Sequence, residues 1–163
     1  MLSRLAEVLR VDLNALFSAA AETKVPPHIL LVDEDASSLE HSLAMLEKAL
    51  PDMALHGFLD ADEALAFARE NRVQLAFLEI PLGHLSGLEL CRELLRIEPR
   101  TNVVFLTASR DYALPAWGTG ACGYLLKPLT PQAVRRQLSL LRHPLERNRV
   151  NPEDSVSGSA SVR

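Results

Sequence analysis

The sequence is poor in cysteine, has no basic excess and contains no histidine cluster. Its two cysteines lack CxxC spacing, which argues against a disulfide scaffold or a thiolate zinc site and favours reduced thiols. The five histidines are scattered without HxxxH or HxxEH spacing, so they do not indicate a metal site. The formal net charge is -4 and no stretch is strongly basic, which argues against direct nucleic-acid binding.

Long hydrophobic runs are also absent. No apolar run approaches the roughly 18 residues expected of a membrane span. Charged residues at Arg4, Glu7, Arg10 and Asp12 interrupt the N-terminal stretch, which therefore does not resemble a signal peptide. These absences predict a cytoplasmic protein that does not associate with membranes. Hydrophobic residues make up 48% of the chain, which is enough to form a buried core.

Short apolar runs alternate with helical patterns through the middle of the chain. The strand candidates are Ile29–Val32, Leu75–Leu78, Val103–Leu106 and Tyr124–Leu126, with a less apolar one, expected nearer the sheet edge, at Met53–Leu59. Apolar residues recur at helical spacing in Ser37–Leu50, Asp60–Glu70, Ser86–Glu98, Ser109–Gly118 and Thr130–Leu141. This alternation predicts an α/β fold, a flavodoxin-like doubly wound sheet of five parallel strands in the order 2-1-3-4-5.

Two segments lie outside this alternation, which leaves residues 28–143 as the predicted α/β domain. Residues 1–27 contain an amphipathic stretch, which predicts a helical extension used for docking or dimerisation. Within it, Leu2–Phe17 resembles the closing helices of a repressor-like helix-turn-helix domain, but without a recognition helix it is not expected to read DNA. Residues 144–163 contain few large apolar groups, which predicts a disordered tail.

Polar residues follow four of the predicted strands. Asp33 and Glu34 follow the first strand, Glu79 the third, Thr107 the fourth and Lys127 the fifth. Because the carboxyl ends of parallel strands meet at one edge of the sheet, these side chains are expected to converge. Carboxylates that converge need a hard cation, a proton or a lysine, and Mg²⁺ prefers oxygen ligands. The sequence therefore predicts a weak Mg²⁺ site beside the carboxylates, with the hydroxyl and the ammonium able to hold a carboxylate or phosphoryl oxygen.

Five short motifs carry a resemblance to a known family. They are Ile29–Asp35, Leu75–Ile80, Leu85–Leu90, Val104–Ala108 and Tyr124–Leu129. Taken together, they make the segment from His28 to Pro144 resemble the receiver domain of response regulators in two-component signalling. Asp111–Leu114 and Gly123–Pro128 are most similar to receivers that precede LytTR-type or related DNA-binding output domains.

The resemblance implies a role for each polar strand end. The implied Mg²⁺ ligands are Asp33, Glu34, Glu79 and the carbonyl of Pro81. Thr107 and Lys127 are implied to sense a phosphoryl group, and Tyr124 to swing in or out with the switch. The Lys127-Pro128 peptide is expected to be cis. The partner that the resemblance implies is a sensor histidine kinase or another signalling protein.

The phosphoacceptor position departs from the family pattern. Receivers accept phosphate on an aspartate after the third strand, and here that residue is Glu79; the acidic pair, Asp33-Glu34, also replaces Asp-Asp. The carboxylate of Glu79 is one methylene further from the backbone, and a displacement of about 1 Å in a site built for in-line attack can cost about 100-fold in rate. Glu79 also reaches toward Lys127 and Thr107 and would imitate the phosphorylated state with one negative charge.

The predicted function is therefore a two-component receiver, not an enzyme, that is held in a fixed or activated-like state and regulates a partner, including in transcription. The main alternative is a phosphorylation-independent interaction module. A small flavodoxin-like enzyme fits less well, because FMN binding needs a glycine- or hydroxyl-rich phosphate loop after the first strand. A haloacid-dehalogenase-like phosphatase is matched only by the spacing of Asp33 and Asp35.

The fourth helix, the fifth strand and the fifth helix are predicted to form the partner face. Tyr112, Trp117 and Tyr124 are concentrated there, and aromatic residues are favoured as interface anchors. This face would bind a signalling protein or a second copy of the chain in a homodimer. The alternative is that Trp117 packs in the core.

Overall fold

A parallel sheet covered by helices forms residues 26–146, the part of the chain that the computed structural model describes. The strands are β1 His28–Val32, β2 Ala54–Phe58, β3 Val73–Leu78, β4 Asn102–Thr107 and β5 Gly123–Leu126. The helices are α1 Ala36–Ala49, α2 Ala61–Glu70, α3 Gly87–Ile97, α4 Ala113–Trp117 and α5 Pro131–Leu138. The strand order is β2-β1-β3-β4-β5 with parallel pairing throughout, which confirms the predicted fold class.

The central strands are continuously apolar because helices cover both of their faces. Leu30 and Val32 of β1 pack into a cluster with α2 and α3, whereas Ile29 and Leu31 pack into a second cluster with α1 and α5. All four side chains are at most 1% exposed. Alternate residues of one strand therefore stabilise opposite layers, which explains why the run shows no apolar–polar alternation.

Most of the helices begin at a capping residue that is recognisable in the sequence. In α1, α2, α3 and α5 the capping side chain accepts a hydrogen bond from a backbone N–H of the first turn. These capping residues are Asp35, Asp60, Ser86 and Thr130. Pro131 follows Thr130 in the first turn of α5, where its missing backbone N–H costs no helical hydrogen bond.

The fourth helix is shorter than predicted. It does not extend back to Ser109, and Tyr112 at its start makes no capping bond. Ser109 instead turns the chain, because its hydroxyl accepts from Asp111 N at 3.1 Å. Pro115 lacks a backbone N–H and is tolerated only in the first turn of a helix, so the helix cannot begin as early as Ser109.

Beyond α5 the chain returns to the amino ends of β3 and β4, where neutral amides hold it. The Asn102 side chain donates to the His143 carbonyl at 2.7 Å and accepts from His143 N at 3.0 Å. It also donates to the Gln74 carbonyl at 3.1 Å, and Gln74 Oε1 accepts from Glu146 N at 2.8 Å. The Glu146 carboxylate adds an exposed ion pair with Arg72 at 3.2 Å. We call Asn102, Gln74 and the backbone of residues 143–146 the amide cluster.

The amide cluster changes the expectation for the start of the tail. Residues 144–146 were predicted to be disordered, but Glu146 is bound at the amino end of β3 and Leu145 packs against the core. The rest of the predicted tail and residues 1–25 of the predicted N-terminal extension lie outside the described residues. Within residues 26–146, no helix has the length and apolar character needed to cross a membrane.

Candidate functional site at the carboxyl ends of the strands

Three charged side chains meet at the carboxyl ends of the strands. Asp33 follows β1, Glu79 follows β3 and Lys127 follows β5. Lys127 Nζ lies 2.7 Å from Asp33 Oδ2 and 2.5 Å from Glu79 Oε2. Asp33 and Glu79 are only 3% and 7% exposed, so two buried carboxylates share one ammonium group. We call these three side chains the carboxylate cluster.

The other oxygens of the two buried carboxylates accept from backbone N–H groups. Asp33 Oδ1 accepts from Asp35 N at 3.0 Å, and Glu79 Oε1 accepts from Ile80 N at 2.8 Å. The extra methylene of Glu79 lets its carboxylate bond the next backbone amide while it still reaches Lys127. Every oxygen of the pair therefore has a partner within the chain, which offsets the cost of burying the charges.

The shared ammonium favours the charged form of Asp33. Burial opposes ionisation of Asp33, but hydrogen bonds from Lys127, Ser38 and the backbone of Asp35 outweigh it and lower the pKa of the Asp33 carboxyl. Burial also opposes the charge on Lys127, but Asp33 and Glu79 outweigh it and raise the pKa of the lysine. The ion pair between Asp33 and Lys127 is therefore present throughout the neutral pH range.

Glu34 and Pro81, two of the predicted metal ligands, are not part of the carboxylate cluster. Both are exposed, and Glu34 Oε2 accepts from Gly83 N at 2.8 Å, in the loop between β3 and α3. Among residues 26–146, no three His, Cys, Asp or Glu side chains are grouped to hold a metal ion. In this arrangement Lys127 bonds one oxygen of each buried carboxylate and Glu34 turns toward the loop, and the Mg²⁺ site stays a prediction.

Thr107 and Tyr124 both engage Ser109 rather than the carboxylates. The buried Thr107 hydroxyl accepts from Ser109 N at 3.4 Å, and it makes no hydrogen bond to Glu79 among the described residues. The Tyr124 hydroxyl donates to the Ser109 carbonyl at 2.5 Å. Burial raises the pKa of Tyr124, and the negative charge of Glu79 adds to the shift. The Lys127-Pro128 peptide that follows β5 is cis, as predicted.

The aromatic residues of the predicted partner face differ in exposure. Trp117 is 90% exposed on α4, so the alternative that it packs in the core is wrong. Leu114 and Leu140 nearby in the fold are 87% and 62% exposed. Tyr112 and Tyr124 are half-buried and pack against the core. An open groove of about 650 Å³ lies beside Trp117 and Tyr124, so this face offers apolar surface to a partner.

Gly87 is a positional requirement of the site that sequence reasoning missed. A Cβ at this position would lie 2.0 Å from the carbonyl oxygen of Glu79. Gly87 N also donates to the Ile80 carbonyl at 2.8 Å, so the start of α3 packs directly on the backbone of the acceptor position. The glycine after Leu85-Ser86 was the available signal, because a glycine at a helix start permits such a close approach.

Residues 29–139, more than half of the chain, match the family model described as response regulator receiver domain. The chain belongs to this family. It is 34% identical over 131 residues to a "DNA-binding response regulator MtrA" from Mycobacterium tuberculosis, covering 79% of this chain and 55% of that protein. The chain thus spans about half the length of that relative.

Two solved structures show the same fold. A CheY-like receiver domain from Methanospirillum hungatei is 24% identical, with a TM-score of 0.63 covering 71% of this chain and 92% of that one. A response regulator from Burkholderia pseudomallei, determined with a phosphorylated aspartic acid, a calcium ion and citrate, is 27% identical, with a TM-score of 0.61 covering 69% and 66%. None of these three proteins is described as a LytTR regulator, so the closer resemblance to that group is not supported.

Proposed function

We propose that this receiver domain regulates a partner from a fixed, activated-like state and does not depend on phosphoryl transfer to Glu79. The supporting observation is the contact between the Glu79 carboxylate and Lys127 Nζ, which are 2.5 Å apart. A negative group held by this lysine is what phosphorylation would supply, although Glu79 brings one charge where a phosphoryl group brings nearly two. The domain acts as a signalling protein rather than as an enzyme.

The geometry of Glu79 also disfavours its use as a nucleophile. Its two oxygens accept from Ile80 N and Lys127 Nζ, and these bonds fix the orientation of the carboxylate and reduce its nucleophilicity toward a phosphodonor. Receiver domains generally bind Mg²⁺ at the phosphorylation site. Here a cation must compete with Lys127, and Glu34 is bonded to Gly83 N, so Mg²⁺ binding is weak. Both features slow phosphoryl transfer, because it requires a positioned nucleophile and a neutralised donor.

The face formed by α4, β5 and α5 is the proposed partner surface. Trp117 and Leu114 are exposed there, and Tyr124 joins the face to the loop after β4 through its bond to Ser109. Exposed apolar groups of this size favour a protein partner, because burying them is the main source of association energy. The partner is a sensor histidine kinase, another signalling protein or a second copy of the chain.

We extend this proposal to transcription through the relatives. The name of the MtrA relative describes a DNA-binding response regulator, and this chain corresponds to about half of that protein. The domain described here carries no basic excess, so it is proposed to act on transcription through its partner and not by contacting nucleic acid itself. A closer similarity to receivers of LytTR-type regulators stays a prediction from the sequence.

Phosphate uptake tests the acceptor proposal. The chain is incubated with acetyl phosphate and Mg²⁺, and its intact mass is measured beside the Glu79→Asp variant. The parent chain is expected to gain no phosphate and Glu79→Asp to gain one, because the shorter side chain restores the family's acceptor. Glu47→Asp, an exposed change on α1, is the matched control and should behave like the parent chain.

One result of this experiment counts against the proposal, and another would extend the defect beyond position 79. Equal labelling of both proteins on residue 79 would make Glu79 a working acceptor. Labelling of neither would show that the site is degenerate beyond position 79, with Glu34 the next residue to exchange for aspartate.

Sedimentation velocity tests the partner face. Trp117→Ala should leave the free energy of unfolding unchanged, because the indole is 90% exposed, and should weaken any self-association of the parent chain. Leu59→Ala, at a 49% exposed leucine after β2, is the control. If the parent chain is monomeric at all concentrations, the partner of this face is another signalling protein and not a second copy of the chain. If Trp117→Ala and Tyr124→Ala change neither folding nor binding of that protein, the face is not the interface.

A further inference from the structure

Two histidines from neighbouring strands meet at the opposite end of β1 from the carboxylate cluster. His28 begins β1, and Leu30 of the same strand pairs with His56 of β2, so the parallel register places both imidazoles on one face of the sheet. His28 Nδ1 lies 3.0 Å from His56 Nε2. The two residues are 28 positions apart in the sequence, so no motif spacing marks this histidine pair and only the fold forms it.

We propose that the histidine pair binds a divalent transition-metal ion of tetragonal geometry, such as Cu²⁺ or Ni²⁺, between His28 Nδ1 and His56 Nε2. Imidazole nitrogen is a ligand that these ions favour in proteins. Within residues 26–146 no group of three His, Cys, Asp or Glu side chains could hold a metal ion, and both rings are half-buried, so water completes the coordination. This site is independent of the proposed function.

The distance between the two ring nitrogens favours one coordination geometry. With metal–nitrogen bonds of about 2.0–2.1 Å, nitrogens 3.0 Å apart subtend an angle of about 90–100° at the ion. Square-planar and tetragonal ions hold neighbouring ligands at about 90°, and this geometry is typical of Cu²⁺ and Ni²⁺. A tetrahedral Zn²⁺ ion would need the nitrogens about 3.3–3.4 Å apart. The pair therefore favours Cu²⁺ or Ni²⁺ over Zn²⁺.

Phe67 of α2 packs against both imidazoles and positions them. The centroid of its ring lies 4.4 Å from that of His56 and 5.4 Å from that of His28, and the contact with His28 is edge-on. Ligand side chains that are already packed lose little rotamer freedom when a metal binds. The aromatic contacts thus lower the entropic cost of forming the site.

The metal would take the place of the hydrogen bond between the rings. In the neutral pair one facing nitrogen donates its proton to the other. On metal binding the donor ring carries its proton on its other nitrogen, so both facing nitrogens present lone pairs and the neutral pair releases no proton. Burial and the charge of His28 lower the pKa of His56, which keeps this imidazole neutral at neutral pH. Because protons compete for the nitrogens, metal affinity should fall as the pH drops below 6.5, the ordinary pKa of the imidazole.

Calorimetric titration with Ni²⁺ tests the site, since Ni²⁺ does not oxidise the two free cysteines. The parent chain is compared with His28→Gln and His56→Gln. His84→Gln, at an exposed histidine in the loop between β3 and α3, is the matched control. Each change within the pair should weaken Ni²⁺ binding at least about tenfold, because one imidazole remains where two chelated the ion. The control should bind Ni²⁺ like the parent chain, and the parent chain should bind Zn²⁺ more weakly than Ni²⁺.

A second measurement uses the parent chain alone, so it does not depend on how the variants fold. Substoichiometric Cu²⁺ is added, and the NMR signals of His28, His56 and Phe67 should be the first to broaden. Broadening centred elsewhere in the chain would overturn the proposal, as would equal Ni²⁺ affinity of the parent chain and the two variants of the pair. Tighter binding of Zn²⁺ than of Ni²⁺ would overturn the tetragonal geometry. None of these results bears on whether Glu79 accepts phosphate.

Discussion

At the carboxyl ends of its strands the sheet gathers two buried carboxylates and a partly buried ammonium, whereas at the amino ends it holds the chain with neutral amides. The carboxylate cluster joins Asp33, Glu79 and Lys127 through contacts of 2.5–2.7 Å. The amide cluster uses Asn102 and Gln74 to bind the backbone beyond α5. A neutral amide satisfies a buried backbone at little electrostatic cost, but a buried ion pair must offset desolvation. The amino ends of the strands therefore suit a stabilising role, and the carboxyl ends are where the proposed function places signalling.

Removal of the ammonium should have the largest effect on folding. Lys127→Met is expected to lower the free energy of unfolding by about 3–5 kcal/mol at neutral pH in EDTA, because it leaves two buried carboxylates unpaired. Urea unfolding measures this loss. The exposed change Lys48→Met should cost less than about 1 kcal/mol. Equal losses in the two variants would show that the carboxylate cluster is not a buried ion pair.

Loss of the Asn102 side-chain amide should have the second-largest effect on the free energy of unfolding. Asn102→Ala is expected to lower the free energy of unfolding by about 2–3 kcal/mol, because the N–H and the carbonyl of His143 lose their partner. Urea unfolding is again the measurement, and Gln132→Ala, at an exposed position of α5, is the control. If Asn102→Ala lost no more stability than the control, the Asn102 side chain would not be what holds residues 143–146.

The dependence of the unfolding free energy on acid pH should differ between changes at the carboxyl ends and at the amino ends of the strands. Because the folded state lowers the pKa of Asp33, its contribution is present above the ordinary value of 3.8 and is lost as the pH falls through the lowered value. Unfolding free energy measured between neutral and strongly acid pH should therefore fall less steeply for Asp33→Asn than for the parent chain. Asn102→Ala should keep the slope of the parent chain. A changed slope in Asn102→Ala would link the amide cluster to a titrating group.

The exposed ion pair between Arg72 and Glu146, at the amino ends of the strands, should contribute least to the free energy of unfolding. Arg72 and Glu146 have side chains that are 50% and 64% exposed, so water screens their attraction. Arg72→Ala is expected to change the free energy of unfolding by no more than about 1 kcal/mol, and high salt should remove the difference. Thermal unfolding at low and high salt measures this. A larger, salt-resistant loss would mean that charge, and not the neutral amides, holds the chain at this edge.

The sequence predicted the fold and the meeting of Asp33, Glu79 and Lys127 for the same reason. Continuous apolar runs marked the strands, and parallel strands bring their carboxyl ends to one edge. The sequence did not predict that Glu34 bonds to Gly83 N, or that Thr107 bonds to Ser109 N. Those choices depend on backbone N–H groups, which every residue except proline carries and no pattern of residue types identifies.

The amide cluster escaped prediction for a related reason. Its sequence lacks apolar periodicity, so residues 144–146 were assigned to a tail although Asn102 and Gln74 bind this segment. The helix α4 is shorter than its apolar spacing predicts, because Pro115 is tolerated only in the first turn and so limits where the helix can begin. Both errors concern single polar or proline residues, whose effect depends on which part of the chain lies next to them.

Trp117 gives the chain an optical reporter. It is the sole tryptophan, and its ring is 90% exposed on α4, outside the carboxylate cluster. An indole surrounded by water emits at long wavelength and is readily quenched by acrylamide. A protein that covers this face should shift the emission to the blue and shield it from the quencher. Fluorescence can therefore follow the arrival of a partner in a mixture without any label.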